Sequence, residues 1–275
     1  MTVSIAAIAR NENKYIKEWA DYHLNLGVDN IIVCDNNLPN EERVSEVLYD
    51  SRIIIEEKYL GIDWVQPRAY TYCFKEYRKK YDWMIFIDID EFIVLDPKYK
   101  SIKDFLSDPL FSDADIVRLH WKLFSGGTKL EADGNYNVLD RFKKPYHTGM
   151  EKFGKSIIRG NIDFTGGRVY GHGYFDNPNL KAVNAIGQPA LNKWSTVNDI
   201  PVYENAWINH YPTKTIGEFI DQKYFRGGPN NNGKKYKDLG YFFKFNPYDE
   251  RLERYGLEKA DRLEKQKNES FNNRT

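Results

Sequence analysis

The chain has 275 residues, long enough to bury a sizeable core in one large domain or two small ones. Forty Lys and Arg residues balance forty Asp and Glu residues, so no overall field draws the chain to nucleic acid or to an anionic membrane. No apolar run approaches the ~20 residues of a membrane-spanning helix. A strand is predicted almost at Met1, which leaves no room for a signal peptide. These features predict a cytoplasmic protein without a nucleic-acid partner or a transmembrane segment.

Strands and helices alternate over about the first 95 residues. Strands are predicted at residues 3–8, 31–34, 53–56 and 83–87, and helices between residue 13 and Gly27, at 41–49 and at 66–81. Cys34 and Cys73 fall in a strand and a helix without metal-ligand spacing, which is typical of small core residues in a reducing compartment. Such alternation favours an α/β fold with a mixed, mostly parallel sheet flanked by helices.

The pattern changes after residue 95. Ser101 and Asp104 form a capping pair that predicts a short helix. Further strands are predicted at 116–121, 155–158, 168–170 and 206–209, a helix at 216–224 closed by Gly227 and Gly228, loops at 177–199 and 230–237, a charged helix at 249–267, and disorder in the last eight residues. We therefore predict one domain over residues 1–245, with halves 1–95 and 96–245, followed by a charged C-terminal helix and tail at 246–275.

The most distinctive stretch is the apolar run of residues 83–87 and the three carboxylates that follow it, Asp88, Asp90 and Glu91. A continuous apolar run of this length is typical of a strand buried on both faces. In an extended segment Asp88 and Asp90 share one face. Two hard oxygen ligands on one side suit Mg²⁺ or Mn²⁺ carrying a phosphorylated substrate. A solvated, Asp-rich turn is the alternative interpretation.

Polar residues also follow the first two predicted strands. The three clusters are Asn11 with Glu12, Asp35 with Asn36, and Asp88 with Asp90. The carboxyl ends of parallel strands meet at one edge of a sheet, in the crevice where open α/β sheets bind ligands. The sequence therefore predicts one ligand site at that edge.

Glycine spacing excludes several nucleotide-binding classes. The first glycine is Gly27, so no Gly-x-Gly-x-x-Gly follows the first strand, and the chain has no Gly-x-x-x-x-Gly-Lys followed by the Ser or Thr of a P-loop. The same absence disfavours a nucleotidyltransferase with a glycine-rich loop. An aspartyl-phosphatase would carry its Asp-x-Asp on the first strand with Thr or Val next, whereas Glu91 follows the motif here. A nucleotide-diphosphate ligand bound through side chains and a metal remains.

Several motifs recur in a recognisable order between residues 3 and 228. They are Ala9-Arg10-Asn11-Glu12, Trp19 and His23, Asp35-Asn36, Gln66, Trp83 with Asp88-Ile89-Asp90-Glu91-Phe92, Trp121-Lys122-Leu123-Phe124, and His210-Tyr211 with Lys214 and Lys223-Tyr224-Phe225-Arg226-Gly227. Together they resemble the bacterial family-2-like glycosyltransferases akin to the family 92 galactosyltransferases, which have a GT-A fold. The family commonly has Trp-x-x-Phe-Gly, and Ser125 in place of that glycine leaves the acceptor contacts open.

The resemblance implies an inverting, metal-dependent enzyme that moves a hexose, galactose or glucose, from a UDP-sugar to a saccharide acceptor in surface polysaccharide or oligosaccharide synthesis. The acceptor could be lipid-linked. Residues 241–245 would then either contact it at a membrane surface, as a peripheral contact, or pack onto the domain. The alternatives are a sugar-nucleotide pyrophosphorylase or hydrolase, which the missing glycine-rich loop weakens, and a non-catalytic carbohydrate-binding protein, which the intact carboxylates argue against.

Site roles follow from the resemblance. Mn²⁺ or Mg²⁺ would be held by Asp88, Asp90 and His210, with Asp90 the direct ligand and Asp88 nearer the ribose. The donor nucleotide would meet Arg10, Glu12, Asp35, Gln66, Arg68, Asp88 and Lys214. Arg10 and Glu12 have the alternative of a helix entry, Asp35 and Asp88 that of a turn, and Gln66 and Arg68 that of a helix cap. Trp121 would stack on the acceptor sugar or pack in the core, and His120 and His172 are interpreted as structural.

An inverting reaction needs a base that deprotonates the acceptor hydroxyl. Asp140 has the expected place after the acceptor-side strand and near a helix start. Glu131, Asp133 and Glu151 are alternatives. Pairing of Asp140 with Arg141, or a capping role, is the structural interpretation.

Overall fold

The computed structural model describes residues 1–164, 167–170, 172, 177, 179–190, 200–225 and 237–272. The chain divides into two compact units. We call Met1–Lys122 with Gly149–His210 the sheet unit, and Leu123–Thr148 with Tyr211–Thr275 the helical unit. These bounds differ from the halves 1–95 and 96–245 that the sequence suggested.

Nine strands form within the described residues: β1 (Val3–Ala9), β2 (Asn30–Asp35), β3 (Ile53–Glu56), β4 (Trp83–Phe86), β5 (Glu91–Leu95), β6 (Ile116–Leu123), β7 (Gly154–Arg159), β8 (Ala182–Asn184) and β9 (Ala206–His210). The sheet unit carries helices α1 (Asn13–Asn25), α2 (Val44–Val47), α3 (Gln66–Tyr77) and α4 (Ile102–Leu106). The helical unit carries α5 (Val138–Arg141), α6 (Ile216–Phe219), α7 (Leu239–Lys244) and α8 (Glu250–Asn272). Among the helices of these described ranges, none is long and apolar enough to cross a membrane.

The sheet is mixed, and its strand order is β3-β2-β1-β4-β7-β6-β9-β5, with β8 beside β6. Strands β3, β2, β1 and β4 are parallel neighbours, as the alternation of strands and helices predicts. The β4–β7, β6–β7 and β5–β9 pairs are antiparallel. The α/β class and the mixed sheet are confirmed, and the parallel pairings lie mainly in the N-terminal part of the sheet.

The carboxyl ends of β1 and β2 lie side by side. Ala9 pairs with Asp35 in the parallel register, and the Ala9 carbonyl accepts a hydrogen bond of 2.8 Å from the Asn36 amide. The Asn37 side chain accepts a 2.7 Å hydrogen bond from the amide of Asn11, which has a left-handed φ of 57°. The polar residues after these two strands therefore share one edge of the sheet, as predicted.

Helix α1 covers the free edge of β5. Its buried residues Trp19 and His23 and its half-buried Tyr22 follow the i, i+3, i+4 spacing of one helix face. The Trp19 indole donates to the Glu91 carbonyl at 2.8 Å, and the Tyr22 hydroxyl donates to the Ile93 carbonyl at 2.7 Å. The Ile93 amide donates to His23 Nε2 at 3.3 Å. These bonds, each stabilising by about 1 kcal/mol, satisfy backbone groups that an edge strand otherwise exposes.

His23 makes the stability of the sheet unit depend on pH. Burial lowers its pKa from 6.5 to about 3, against the opposing effect of its hydrogen bond to the Trp19 carbonyl. The unfolded chain takes up a proton near pH 6.5, whereas the folded chain does so only near pH 3. The stability from neutral His23 is therefore complete above pH 6.5 and is lost as the pH falls towards 3, by about 1.4 kcal/mol per pH unit.

We expect His23→Gln to flatten the fall in unfolding free energy with acidification. Urea titrations at several pH values between 7.5 and 4.5 measure this slope for wild type and variant. His147→Gln is the matched control, because the His147 side chain is exposed, and it should keep the wild-type slope. A His23→Gln slope equal to that of the wild type would contradict the assignment.

Helix α3 packs on the sheet through the stripe predicted from its spacing. Its buried residues are Ala69, Tyr70, Cys73, Phe74 and Tyr77. They join a core cluster that includes residues of β1, β2 and β4. The Cys73 and Cys34 sulfurs are 3.3 Å apart and both thiols are free and buried, which confirms their place in the core.

Several predicted elements differ from the observed ones. The helix at 41–49 is reduced to α2, because Leu48 is already extended, and the helix at 66–81 ends at Tyr77, where a 3-10 turn (Arg78–Lys80) begins. Residues 168–170 form no strand, and β8 lies inside the predicted loop 177–199. The helix at 216–224 changes from α to π geometry at Ile220.

The end of the chain also differs from its prediction. The terminal helix was predicted to stop at residue 267 and runs instead to Asn272. Outside the described residues lie Gly227 and Gly228, residues 178 and 191–199 of the predicted loop 177–199, residues 230–236 of the predicted loop 230–237, and residues 273–275.

The helical unit has its own core. Ile216, Phe219, Phe242 and Leu252 are buried together, and a buried ion pair joins Arg141 to Glu218 through contacts of 2.8 and 2.5 Å. Residues 241–245 lie in and next to α7, a helix that was not predicted, and Tyr241, Phe242 and Phe243 of this segment pack into this core. Of the two interpretations of that aromatic segment, packing onto the protein is the one that the structure supports.

Candidate functional site

Three carboxyl groups converge in the tight turn between β4 and β5. The Glu91 amide donates to the Asp88 carbonyl at 3.1 Å, and the Asp88 amide donates to Glu91 Oε2 at 3.0 Å. This reciprocal pair closes the turn and holds Asp90 between the two residues. The turn follows directly from β4, so it lies at the carboxyl edge that β1 and β2 share.

Asp88 is held by three donors. Gln66 Nε2 and the Tyr70 hydroxyl, one turn apart on α3, donate to Oδ1 at 2.7 and 3.0 Å. Lys155 Nζ donates to Oδ2 at 2.8 Å. Burial raises the pKa of Asp88, but the Lys155 ammonium outweighs it and holds the pKa below its ordinary value. Asp88 is therefore an ionised, fixed acceptor whose side chain is 33% exposed.

Lys155 is a buried ammonium on β7. Phe86 of β4 pairs with Ser156 of β7 in an antiparallel register, which places Lys155 beside the start of the acidic turn. Its side chain is 1% exposed, and Nζ lies 3.6 Å from Glu91 Oε2 in addition to its contact with Asp88. Burial lowers the pKa of Lys155, and the two carboxylates raise it above its ordinary value. The residue is charged at neutral pH.

Asp90, Glu91 and His210 form a buried group whose ligand atoms all lie within 4.8 Å of one another. The antiparallel register of β5 and β9 pairs Glu91 with His210 directly, so the two side chains share one face of the sheet. His210 Nε2 lies 3.6 Å from Asp90 Oδ1. Burial raises the pKa of Glu91 well above its ordinary value. The group is thus an O, O, N donor set fixed by sheet pairing.

Trp121 packs against the imidazole of His210. Their ring centroids are 4.4 Å apart, and the His172 ring lies 5.3 Å from the indole. Burial, followed by the Lys155 ammonium, lowers the pKa of His172 to about 4, so this imidazole is neutral at pH 7. The Trp121 side chain is buried, at 6% exposure. It holds His210 in place, and its contact with an acceptor sugar remains a prediction.

Some predicted nucleotide ligands have partners within the protein. Arg10 pairs with Asp63 at 2.5 Å. Asp35 is fully buried, and its two carboxylate oxygens accept the amides of Asn37 and Val44 at 2.9 Å. The alternative of a turn-forming role therefore has direct support for Asp35.

The other predicted nucleotide ligands are placed differently from one another. The Glu12 side chain is buried, and the Glu12 carbonyl accepts the amides of Tyr15 and Ile16 in α1. The Arg68 side chain is exposed. Lys214 is buried in the helical unit with a left-handed φ of 56°, and its ammonium lies 3.3 Å from Gln222 Oε1.

Three of the four base candidates belong to the helical unit. Asp140 is 68% exposed and lies 3.7 Å from Lys143, while Arg141 pairs with Glu218 instead. Asp133 pairs with Lys129 at 3.0 Å, and Glu131 pairs with Lys259 at 2.6 Å. Glu151 is buried and belongs to the sheet unit, which also holds the acidic turn.

Sequence reasoning missed Lys155, Tyr70 and the participation of Glu91. Lys155 opens a strand predicted at 155–158, where Ser156 separates it from the apolar pair Ile157 and Ile158. A lysine inside a buried strand needs a carboxylate partner. The position of Lys155 in a predicted strand was therefore the signal from which its pairing with a carboxylate could have been predicted. Tyr70 belongs to the predicted apolar stripe of α3, and nothing in the sequence separates its hydroxyl from an ordinary core tyrosine.

Comparison with known proteins gives a family match. Residues 1–166 match the model described as Glycosyltransferase family 92. A glycosyltransferase family 92 protein of Ricinus communis is 28% identical over 124 residues, which are 45% of this chain and 22% of that protein. A glycosyltransferase family 92 protein of Oryza sativa subsp. japonica is 30% identical over 109 residues, 38% of this chain and 18% of that protein. Each alignment thus spans less than a quarter of the relative's length.

The match to the family model includes the acidic turn and Lys155, and His210 lies beyond its end. The resemblance to family 92 that the motifs indicated is confirmed.

Proposed function

Because this chain belongs to glycosyltransferase family 92, we propose that it transfers a hexose, galactose or glucose, from a UDP-sugar to a saccharide acceptor, free or lipid-linked. The reaction would extend a surface polysaccharide or oligosaccharide and invert the anomeric centre, on a sheet arranged as in GT-A enzymes. The observation that carries this proposal is the buried group of Asp90, Glu91 and His210 beside Asp88, at the carboxyl edge of the parallel strands.

The donor set fits a divalent cation such as Mn²⁺ or Mg²⁺. Two carboxylate oxygens and one imidazole nitrogen are hard or borderline ligands that these ions accept. Among the described residues, Glu91 Oε1 is buried without a hydrogen-bond partner, as expected for a carboxylate oxygen directed at a cation. Asp90, Glu91 and His210 are the proposed ligands. The bound ion would neutralise the charge that develops on the departing diphosphate.

Asp88 is suited to position the donor. Three donors fix its carboxylate, so its orientation costs no further entropy when a ligand binds. The Asp88 side chain is 33% exposed, so its carboxylate can still accept hydrogen bonds from hydroxyl groups of the ribose or of the transferred sugar. Gln66 acts through Asp88 in this proposal, since its amide donates to the carboxylate.

The base for the acceptor hydroxyl is tested by paired variants. If Asp140 is the base, Asp140→Asn should lower kcat about 10²- to 10⁴-fold with little change in the KM of the UDP-sugar. Glu151→Gln, the isosteric change at the buried carboxyl of the sheet unit, serves as the comparison. Loss of kcat in Glu151→Gln with normal turnover in Asp140→Asn would move the role to Glu151. Glu131→Gln and Asp133→Asn complete the set.

A UDP-release assay separates the proposed transfer from the other functions. Each UDP-sugar is incubated with Mn²⁺, with and without saccharide acceptors. Release that requires an acceptor supports transfer, whereas equal release without acceptor would indicate a hydrolase. Binding without release would indicate a carbohydrate-binding protein. Formation of UTP when pyrophosphate is added would indicate a pyrophosphorylase.

A further inference from the structure

We propose that Lys155 is an internal counter-ion that keeps Asp88 outside the metal's ligand set and confines a divalent cation to Asp90, Glu91 and His210. This inference rests on the proposed metal-dependent function and deepens it. Lys155 is a positioning residue in this assignment, because it acts on the donor and the ion through Asp88.

Geometry separates the acidic turn into two parts. Lys155 Nζ contacts Asp88 Oδ2 at 2.8 Å, and Asp88 Oδ1 already accepts from Gln66 and Tyr70. The group with atoms close enough to share an ion contains Asp90 and Glu91 and leaves Asp88 out. Lys155 is also 3.6 Å from Glu91 Oε2, so its shorter contact is with Asp88. Glu91, Asp90 and His210 face a common space.

Charge balance supports the same division. Asp88, Asp90 and Glu91 carry three potential negative charges, and the buried Lys155 supplies one positive charge beside them. Buried carboxylates require paired charges or a metal. With Lys155 nearest to Asp88, the carboxylates of Asp90 and Glu91, both deprotonated when they bind a cation, would match the charge of one divalent ion. Without Lys155, Asp88 Oδ2 would have no cation partner and would compete as a ligand for that ion, while Oδ1 keeps its donors Gln66 and Tyr70.

The probe is Mn²⁺ alone, with no nucleotide, and binding to the full chain is followed by titration calorimetry or by the electron paramagnetic resonance signal of free Mn²⁺. Lys155→Met removes a positive charge close to the cation and leaves Asp88 Oδ2 without its cation partner. We expect the variant to bind Mn²⁺ at least ~10-fold more tightly than the wild type, since charges at such distances inside a protein interact strongly. Unchanged or weaker binding by a folded Lys155→Met protein would overturn the proposal.

A double variant keeps the test valid if the single variant does not fold. Lys155→Met with Asp88→Asn removes one charge of each sign, so the net charge around the ion is that of the wild type. If Asp88 is outside the ligand set, the double variant should bind Mn²⁺ within about 3-fold of the wild type. A loss of ~10-fold or more would make Asp88 a ligand and overturn the assignment of Lys155.

The matched control is the pair Lys103 and Asp29, whose side chains lie 2.5 Å apart. Asp29 precedes β2 and therefore lies at the amino edge of the parallel strands. Lys103→Met with Asp29→Asn should leave Mn²⁺ affinity unchanged.

If neither the wild type nor the variants bind Mn²⁺, the counter-ion proposal fails. If Mn²⁺ binding follows the expected pattern but no UDP-sugar is turned over, the transferase function fails and the role of Lys155 stands.

Discussion

Replacing Asp90 with alanine is expected to leave a folded protein whose sugar transfer falls by about 10²- to 10³-fold. Asp90 offers its carboxylate to the same space as Glu91 and His210, so its loss removes one of the proposed ligands and a negative charge. Electrostatic stabilisation of a leaving group is usually one of the largest contributions to catalysis, and loss of a single stabilising group has effects of this size. The measurement is kcat and kcat/KM for the preferred UDP-sugar at saturating Mn²⁺.

Asp82→Ala is the matched control for this variant. Asp82 directly precedes β4, at the opposite end of the strand from the acidic turn, where it accepts hydrogen bonds from Thr2. Its loss removes the same chemical group from the other end of β4, and activity should stay near that of the wild type. Near-normal turnover by Asp90→Ala in Mn²⁺ would reject the proposed role of Asp90.

The parallel part of the fold was predictable because its signals are local. Continuous apolar runs separated by amphipathic helices predict parallel strands whose carboxyl ends share an edge, and β1, β2 and β4 have that arrangement. Asp88 and Asp90 were found in the sequence by this reasoning. The spacing of Trp19 and His23 also predicted one face of α1, but periodicity does not say what that face touches.

The long-range pairings were not predictable from the sequence. Glu91 meets His210 because β5 pairs with β9, strands separated by more than a hundred residues. Lys155 reaches Asp88 because β7 is antiparallel to β4. Local patterns define which face of a strand is buried, whereas the choice of neighbour depends on the whole sheet. The resemblance supplied His210, and nothing in the sequence analysis supplied Lys155.

Edge pairing links the stability of the sheet unit to its site. Glu91 is the first residue of β5, and its carbonyl accepts the Trp19 indole of α1. The opposite edge of β5 is held by β9, which carries His210. Trp19 and His23 of α1, which belong to the motifs of the family resemblance, therefore position β5 and its first residue Glu91. Both are far from the acidic turn in the sequence, so this role is not evident there.

His210→Ala is expected to raise the Mn²⁺ concentration needed for half-maximal activity by about 10- to 100-fold, the range seen when support of a metal site is lost. The variant removes the nitrogen that lies 3.6 Å from Asp90 Oδ1 and leaves both carboxylates in place. Binding of UDP in Mn²⁺ should weaken more than binding of UDP without metal. Calorimetry of UDP binding in both conditions and a Mn²⁺ titration of activity measure the effect.

His120→Ala controls for the loss of a buried imidazole. His120 is fully buried on β6, and its Nδ1 accepts the Val202 amide at 3.2 Å, outside the group of Asp90, Glu91 and His210. Because both variants leave a cavity, both should lose thermal stability without ligand, by a few kcal/mol at most. Only His210→Ala should change the metal requirement. If the two variants lose similar stability and the Mn²⁺ requirement of His210→Ala stays at the wild-type value, His210 is a packing residue that supports Trp121.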